Sequence, residues 1–288
     1  MIHQETAFAK LNLTLDILRK RPDGYHDLRM VMQSIDLSDT VTVEEHDRPE
    51  LLLRSNLGFL PCDKTNIAAK AVSRFFETLG RPAPGLSISL EKSIPVCAGM
   101  AGGSSDGAAV LRILRQQYAP DMTREELEAI GALVGSDVPY CVRGGTALAE
   151  GRGEILQDLP PLPDCWFAVC KPAFSISTPE LFSQVQVKKL RCHPDTAGML
   201  HALEEQDLDG IAHRIYNVFE DVLPRKYTRV FDIKKQMLEL GAMASAMTGS
   251  GPTVFGIFRD EESASKAVDA LKKQYSTVYC CKNTGRVV

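Results

Sequence analysis

The fold of this 288-residue chain is decided by one stretch near its middle, Ile94-Pro95-Val96-Cys97-Ala98-Gly99-Met100-Ala101-Gly102-Gly103-Ser104-Ser105-Asp106. Glycines let a backbone turn inward so that several NH groups converge, and a helix N-terminus adds partial positive charge. The pattern predicts a polyphosphate-binding loop, with a ligand-free glycine-rich turn as the alternative. No Lys-Ser or Lys-Thr follows the glycines, and the spacing GxGxxG is absent, so neither a Walker A loop nor a dinucleotide fingerprint is indicated.

The composition of the whole chain excludes several classes of protein. Hydrophobic residues make up 44% and charged residues 24%, as in soluble globular proteins rather than disordered or membrane proteins. Lys plus Arg number 33 against 37 Asp plus Glu, a net charge of −4, so bulk electrostatics favour neither nucleic acid nor an anionic membrane as partner. No signal peptide is recognisable at the first residues, which predicts a cytoplasmic location.

The eight cysteines are also consistent with a cytoplasmic location. They form no CxxC pair and have no histidine at metal-ligand spacing, so we interpret them as reduced thiols and do not expect a zinc site.

Upstream of the loop, one segment has the period-2 pattern of a strand. Ala9 to Ile17 alternate apolar residues with Lys10, Asn12, Thr14 and Asp16. The pattern predicts one buried face, with Lys10 and Asn12 together on the opposite side, off the core. A Pro-Asp-Gly turn follows at 22–24, and the dense proline cluster at 159–164 predicts a division near residue 160, into domains 1–160 and 161–288.

Other segments predict an α+β protein. In the first domain we expect strands at 30–37, 40–44, 51–54 and 86–90, and helices at 67–79, from Ser104 and at 123–135. Side chains of Ser104, Ser105 and Asp106 are expected to cap the second helix. In the second domain the predicted order is a strand at 166–170, helices after Thr178 and at 211–219 and 231–240, strands at 243–247 and 253–258, a helix at 261–273 and a strand at 277–281. With the intervening helices taken as one layer, this is the βαββαβ order of a ferredoxin-like domain.

Three stretches together resemble the GHMP kinases, the family of galactokinase and of homoserine, mevalonate and phosphomevalonate kinases. They are the loop from Pro95 to Ala109, the strand motif Ala7-Phe8-Ala9-Lys10-Leu11-Asn12-Leu13, and the glycine loop Met247-Thr248-Gly249-Ser250-Gly251-Pro252-Thr253. The resemblance implies a two-domain fold with an N-terminal mixed β/α ATP-binding domain. One departure is Ala101, where many members carry glycine.

Further motifs resemble one member of that family, which acts on a cytidine diphosphate derivative of methylerythritol. They are Lys10-Leu11-Asn12, Arg21-Pro22-Asp23-Gly24-Tyr25-His26, Thr65-Asn66-Ile67, Gly135-Ser136-Asp137-Val138-Pro139 and Ser177-Thr178-Pro179. The resemblance implies ATP-dependent phosphorylation of the 2-hydroxyl of that compound in isoprenoid precursor biosynthesis. ATP and Mg²⁺ are the implied cofactors. Whether the protein is a monomer or a homodimer is left open.

The site residues follow from the same resemblance. Phosphoryl transfer to an alcohol needs a group that accepts the hydroxyl proton and a cation near the transferring phosphoryl group, and Asp137 and Lys10 fit these two roles. Residues 95–105 and Asn66 are expected to bind ATP. Asn12, Tyr25, His26, Thr178 and Phe182 are expected to bind the substrate, with Tyr25 and Phe182 on opposite faces of the cytosine. The Mg²⁺ ligands are not identified; Ser104, Ser105, Thr248 and Ser250 are alternatives for contact with phosphate or metal.

Each assignment has a structural alternative. Asp137 and Asn66 are also good helix N-caps, Lys10 a solvated lysine on a polar strand face, and Tyr25-His26 a pair that packs a turn. Three rival functions remain at this point: a GHMP kinase for a small acid such as homoserine or mevalonate, a regulator that binds ATP without turnover, and a nucleic-acid-binding module.

Overall fold

A computed structural model of the chain describes residues 2–190 and 192–287, which form both strands and helices. In the described part the strands are β1 Ile2–Lys20, β2 His26–His46, β3 Leu51–Ser55, β4 Gly85–Glu91, β5 Thr146–Gly151, β6 Ile155–Asp158, β7 Trp166–Lys171, β8 Tyr216–Asn217, β9 Ala244–Met247, β10 Val254–Phe258 and β11 Thr277–Lys282. The α-helices are α1 Ile67–Thr78, α2 Gly102–Tyr118, α3 Arg124–Val134, α4 Val138–Arg143, α5 Thr178–Gln184, α6 Thr196–Glu204, α7 Leu208–His213, α8 Arg229–Glu239 and α9 Glu261–Lys272. None of the described helices is both long and apolar enough to cross a membrane.

A seven-stranded sheet is built around the long antiparallel pair β1 and β2. Its main order is β3-β4-β2-β1-β8, while β5 pairs with β2 and β6 with β5. Helices α2 and α4 pack against this sheet, α1 and α3 pack against these helices, and all four contribute to a first hydrophobic core. The predicted runs at 30–37 and 40–44 are parts of the single strand β2, because the polar residues between them continue the ladder with β1.

Strand β1 is buried on both faces along its middle, which corrects the prediction of one buried and one polar face. Its register with β2 shifts between Phe8 and Ala9 and again between Asn12 and Thr14. Such β-bulges bend a strand and re-aim its side chains. The apolar residues therefore divide between two cores: Ala7, Leu15 and Ile17 belong to the first core, and Ala9, Leu11 and Leu13 to a second core shared by both sheets.

The second sheet has four strands in the order β11-β7-β10-β9, all antiparallel. In chain order this is 4-1-3-2 with α9 as the second crossover, so the predicted ferredoxin-like βαββαβ arrangement is confirmed. Alternate residues of β7 and β10 point to opposite sides: Ala168, Cys170, Val254 and Phe258 pack in the first core, and Phe167, Val169, Phe255 and Ile257 in the second.

Two predicted helices differ from the structure. Helix α2 begins at Gly102, and no side chain caps its N-terminus, because Ser105 and Asp106 are buried and bonded elsewhere. The helix expected at 211–219 ends at His213, since residues 216–217 form β8, which pairs in parallel with β1. The Asn217 side chain then accepts from Phe219 N and starts a 3₁₀ turn at Val218–Val222. Tertiary pairing has overridden local helical preference there.

Candidate active site

The glycine-rich loop forms one wall of a cavity of about 340 Å³. Three of its residues have positive φ: Cys97 at 52°, Gly99 at 73° and Ala101 at 58°. The left-handed conformation costs a residue with a Cβ roughly 1 kcal/mol, so Ala101 carries strain that the family's usual glycine avoids. The cavity is lined by Pro95, Val96, Cys97, Ala98, Gly99, Met100, Ala101, Gly102, Gly103 and Ser104, together with Asn66 from the far wall.

The N-terminus of α2 faces this cavity. The first NH groups of a helix have no partner within the helix, so those of residues 102–104 are available to an anion. Ser105 does not line the cavity with its side chain: the hydroxyl is buried and donates to the Phe8 carbonyl oxygen of β1. Asn66 caps α1 by accepting from Ala68 N at 2.9 Å, and its Nδ2 donates to the Pro61 carbonyl. The capping alternative for Asn66 is therefore present in the structure.

A buried ion cluster lies beneath the loop. Lys92 Nζ donates to Asp39 Oδ2 and, at 2.6 Å, to Asp106 Oδ2 on α2. Asp39 Oδ1 accepts from the backbone NH groups of Ser93 and Ile94, where the loop begins. Asp106 Oδ1 is buried and has no partner in the described residues. Burial, together with the repulsion of Asp39 and despite the attraction of Lys92, raises the pKa of Asp106 to about 7.

Lys10 and Asn12 point to the same side of β1, as predicted, but both are buried, so the prediction that they lie off the core was wrong. Lys10 N donates to the Met100 carbonyl at 3.2 Å, which joins the strand to the glycine-rich loop. Its Nζ donates to Asn12 Oδ1 at 2.6 Å and lies 4.0 Å from Asp137 Oδ2. The Lys10 side chain is 5% exposed and that of Asp137 35%, so the carboxylate faces solvent and the ammonium is shielded.

Asp137 stands immediately before α4, in the N-cap position. Its side chain makes no capping hydrogen bond, although its carbonyl accepts from Cys141 N at 3.0 Å. The capping alternative proposed for this carboxylate is therefore not observed, and both of its oxygens remain open to a ligand. The β5–β6 turn passes beside it: a methyl group built on Gly153 would lie 3.6 Å from the Ser136 carbonyl oxygen and 4.0 Å from Asp137 Oδ1.

The C-terminal glycine loop packs against the first one. Thr248 Oγ1 accepts from Asn12 N at 3.0 Å and lies 3.4 Å from the Gly99 carbonyl oxygen. A methyl group on Gly249 would lie 2.8 Å from the same oxygen and 3.3 Å from Lys10 Nζ. Asn217 of β8 also holds this loop in place, because its Nδ2 donates to the carbonyls of Met247 and Gly249 at 2.7 and 2.8 Å.

An aromatic cluster closes the other end of the site. The ring of His26 stacks on Phe182 of α5 with centroids 5.1 Å apart, and Phe182 meets Phe219 edge-on. Burial, with the charge of Lys20 as a smaller cause, lowers the pKa of His26, so its ring is neutral at pH 7. Tyr25 is 55% exposed beside this pair, on the turn before β2. Thr178, at the start of α5, hydrogen-bonds Ser250 of the C-terminal glycine loop at 2.7 Å.

The cluster and the Lys10–Asp137 pair are connected along β2. His26, Leu28 and Met30 point to one face of the strand, and Asn12 Nδ2 contacts Met30 Sδ at 3.4 Å. Four residues of a strand span about 13 Å, so an elongated ligand can reach from one group to the other. Sequence reasoning missed Lys92, Asp39, Asn217 and the turn 151–153, since single polar residues or one Gly-Arg-Gly triplet carry no spacing signal.

Family models match both halves of the chain. The GHMP kinases N terminal domain matches residues 66–145, and the GHMP kinases C terminal model matches residues 199–277.

Similar proteins share most of the chain's length. The chain is 43% identical over 276 residues to the 4-diphosphocytidyl-2-C-methyl-D-erythritol kinase of Clostridium tetani (strain Massachusetts / E88), covering 96% of this chain and 98% of that protein. It is 40% identical over 273 residues to the protein of the same name from Clostridium botulinum (strain Langeland / NCTC 10281 / Type F), covering 95% and 97%.

Solved structures agree with these matches. A crystal structure of 4-(cytidine 5′-diphospho)-2C-methyl-D-erythritol kinase superposes with a TM-score of 0.83 at 30% identity, over 98% of this chain and 100% of that one. Homoserine kinase from Cytophaga hutchinsonii shares the fold, with a TM-score of 0.73 at 19% identity over 98% and 95% of the two chains. Whole-length identity, both domain models and the loop geometry agree: the chain belongs to the 4-diphosphocytidyl-2-C-methyl-D-erythritol kinases, within the GHMP kinase family.

Proposed function

We propose that the protein transfers the γ-phosphoryl group of ATP to the 2-hydroxyl of 4-diphosphocytidyl-2-C-methyl-D-erythritol, giving the 2-phosphate and ADP. The reaction belongs to isoprenoid precursor biosynthesis by the methylerythritol phosphate route, and we place it in the cytoplasm. The observation that carries the proposal is the Lys10–Asp137 pair, 4.0 Å apart, between the nucleotide cavity and the aromatic cluster. The family's substrate has a cytosine at one end and a tertiary alcohol at the other, which matches this arrangement.

In this reaction Asp137 orients the 2-hydroxyl and accepts its proton through the open carboxylate. The hydroxyl oxygen attacks the γ-phosphorus, the bond from the γ-phosphorus to the β,γ-bridging oxygen breaks, and ADP leaves. Lys10 stabilises negative charge on the transferring group, with its ammonium held by Asn12 Oδ1 at 2.6 Å. Because these groups are fixed before the substrate binds, positioning and electrostatics supply most of the rate acceleration.

The nucleotide binds in the cavity of the glycine-rich loop. NH groups of residues 102–104 receive its phosphates, and Asn66 and the cavity wall hold the base. Among residues 2–190 and 192–287, no group of three or more His, Cys, Asp or Glu side chains is arranged so that it could hold a metal ion. Mg²⁺ would then be held mainly by the phosphates of ATP, with the Ser104 hydroxyl as a protein ligand, and would neutralise phosphate charge.

The cytosine binds at the aromatic cluster, with Tyr25 on one face. In the structure His26 lies directly against Phe182, so the pyrimidine reaches the Phe182 ring only after the His26 ring has moved aside. A neutral His26 then donates or accepts one hydrogen bond at the edge of the base.

Asp137→Asn tests this function. We expect kcat to fall by about 100-fold or more in an ADP-release assay with ATP, Mg²⁺ and the cytidyl substrate, because the amide cannot accept the proton. The KM for ATP and the melting temperature should stay close to those of the wild type. Near-normal turnover would remove Asp137 from the mechanism.

The same assay separates the rival substrates. Homoserine, mevalonate and galactose are run beside the cytidyl substrate, with Lys10→Ala as the inactive control. Turnover of the cytidyl substrate alone, inhibited by CMP, is the expected result. Turnover of another alcohol would mean that the protein is a kinase with a different substrate, and it would overturn the assignment of Tyr25 and His26. ATP binding without any turnover would favour a regulator.

A further inference from the structure

We propose that Arg152 binds the diphosphate of the cytidyl substrate, an inference that rests on the function proposed above. Arg152 lies in the turn between β5 and β6, flanked by two glycines with positive φ, Gly151 at 68° and Gly153 at 115°. The turn is closed by Glu154, whose Oε2 accepts from Arg152 N at 2.6 Å. The backbone position of Arg152 is therefore well defined.

The guanidinium of Arg152 lies over the ring of Tyr25, 5.1 Å from its centroid. A guanidinium that stacks on an aromatic face keeps its NH donors free at its edge. In this structure those donors have no hydrogen-bond partner among the described residues. A carboxylate oxygen, Glu154 Oε1, is 3.7 Å from Nε, which is an ion-pair distance without a hydrogen bond.

The neighbouring arginines differ from Arg152 in this respect. Arg19 donates to Asp27, Arg21 to Asp23 and Asp27, and Arg29 to Glu150 at 2.8 Å. Their charges are neutralised by carboxylates of the fold. Within the part of the chain that the structure describes, Arg152 is paired only with Glu154, at 3.7 Å and without a hydrogen bond, so its fork of donors is available, and its side chain is about one-third exposed, which suits the bidentate recognition of phosphate oxygens.

The turn also lies between the two ends of the proposed substrate. Gly153 packs beside Asp137, which takes the alcohol, and Arg152 packs on Tyr25, which takes the cytosine. In the substrate the diphosphate joins these two parts, so it must cross the turn that carries Arg152. The glycine-rich loop is not available for this purpose, because in the ternary complex it holds the phosphates of ATP.

The test compares ligands that differ only in their phosphates. Binding of cytidine, CMP and CDP is measured by calorimetry in the presence of a saturating non-hydrolysable ATP analogue, which keeps CDP out of the nucleotide cavity. For the wild type we expect affinity to rise from cytidine to CDP. In Arg152→Gln we expect CDP to bind about 10- to 100-fold more weakly, because charge-assisted hydrogen bonds to the phosphates are removed. The affinity for cytidine should fall much less, because Tyr25 is unchanged.

Arg29→Gln is the matched control, because it removes one positive charge from the neighbouring strand at an arginine that is already paired. It should leave the ratio of CDP to cytidine affinity unchanged. Arg152→Lys should recover part of the ratio of CDP to cytidine affinity, because lysine keeps the positive charge but lacks the fork of donors of arginine. With the full substrate, Arg152→Gln should raise the KM for that substrate and leave the KM for ATP as it is.

Two outcomes would count against the proposals, and they are distinguishable. If the wild type binds CDP but Arg152→Gln keeps the same ratio of CDP to cytidine affinity, Arg152 only packs on Tyr25 and the inference is wrong. If the wild type binds neither CDP nor cytidine beside the ATP analogue, the proposed function itself is wrong.

Discussion

Asp106 is the residue whose chemistry departs most from the ordinary in this site. Two carboxylates, Asp39 and Asp106, share the single ammonium of Lys92 in a buried cluster, so the cluster carries an excess negative charge when both are ionised. Asp39 is further compensated by two backbone NH groups. The uncompensated charge therefore falls on Asp106, and its protonated form is favoured in the folded protein.

Asp106→Asn should change how stability depends on pH. The pKa of Asp106 rises from its ordinary 3.8 to about 7, so the folded state retains a proton that the unfolded chain has lost. The wild type then loses stability between about pH 4 and pH 7, by up to roughly 4 kcal/mol from this group, and the loss is constant above pH 7. The asparagine variant has no carboxyl group at this position, so it should not lose this stability. Its free energy of unfolding relative to that of the wild type should therefore increase as pH rises. Urea unfolding of both proteins at pH 4.5 and pH 8 measures the difference.

The control for this comparison is Asp121→Asn, an exposed aspartate beyond α2. Its free energy of unfolding relative to the wild type should be the same at both pH values. An equal difference at both pH values for Asp106→Asn as well would show that Asp106 does not titrate in this range.

At the scale of elements, the two glycine loops form one unit. A methyl group on Gly99 would lie 2.3 Å from the Thr248 carbonyl oxygen and 3.0 Å from Gly251 N, at a residue with φ of 73°. Backbone atoms cannot move aside as the end of a side chain can. The N-terminal loop therefore keeps its shape because the C-terminal loop, which Asn217 holds in place, packs directly on it.

Gly99→Ala should accordingly destabilise the protein by more than about 2 kcal/mol, from the left-handed backbone and the close contact together. ATP affinity should fall with it, because the loop has to shift. Gly103→Ala is the matched control for stability: it lies in the same segment, without positive φ, and its methyl group would meet Ile67 Cγ1 at an ordinary 3.7 Å. Unfolding in urea and ATP titration measure both effects, and equal stability of the two variants would refute the packing argument.

Much of this element-scale organisation could be predicted from the sequence. The capping box at Thr123 and Glu126 is present, α1 ends just before Gly80, and the four strands of the second sheet and α9 follow in the predicted order, whereas α6 and β8 were not predicted. The faces of β1 could not be predicted, because alternation alone does not show where a bulge interrupts it. The buried cluster at Lys92 could not be predicted either, since its three residues come together only through the tertiary fold.

The candidate site, like the fold, could be predicted from the sequence only in part. The sequence motifs identified the loops, Lys10, Asn12 and Asp137 as neighbours, because each lies in a recognisable local pattern. The contacts between them, such as Thr248 with Asn12 or Gly153 with Asp137, join residues more than ten positions apart and depend on how the sheets pack. Arg152 had no local signal beyond its flanking glycines.

At the scale of the whole molecule, we propose that the two domains are 1–160 and 161–288, but they are closely joined. Leu159 and Leu162 of the proline cluster are buried in the second core, so this segment is packed rather than a free linker. Strand β8 pairs with β1, and near the C-terminus Thr284 N donates to the Ser34 carbonyl at 3.0 Å. The chain thus crosses between the halves several times.

We therefore expect one cooperative unfolding transition. Trp166, the single tryptophan, begins β7 in the four-stranded sheet, so its fluorescence reports on the second half. Far-UV circular dichroism reports on helices in both halves. The two signals should give coincident transitions in urea, because the second core cannot be divided without exposing apolar residues of both sheets. Separate midpoints would show that the halves unfold independently.

The bulges of β1 also set limits on how the gene can change. The shift after Asn12 adds Leu13 to β1, whereas the shift after Phe8 adds Asp36 and Leu37 to β2. Between these shifts Ala9, Leu11 and Leu13 pack in the second core, while Lys10 and Asn12 point to the other side of the strand. A side chain changes faces with every residue inserted or removed in a strand. A one-codon deletion or insertion between positions 8 and 14 would thus turn Lys10 or Asn12 to the opposite side of the strand even if every motif residue survived. Evolutionary drift in this segment should proceed by substitution, with its length held constant.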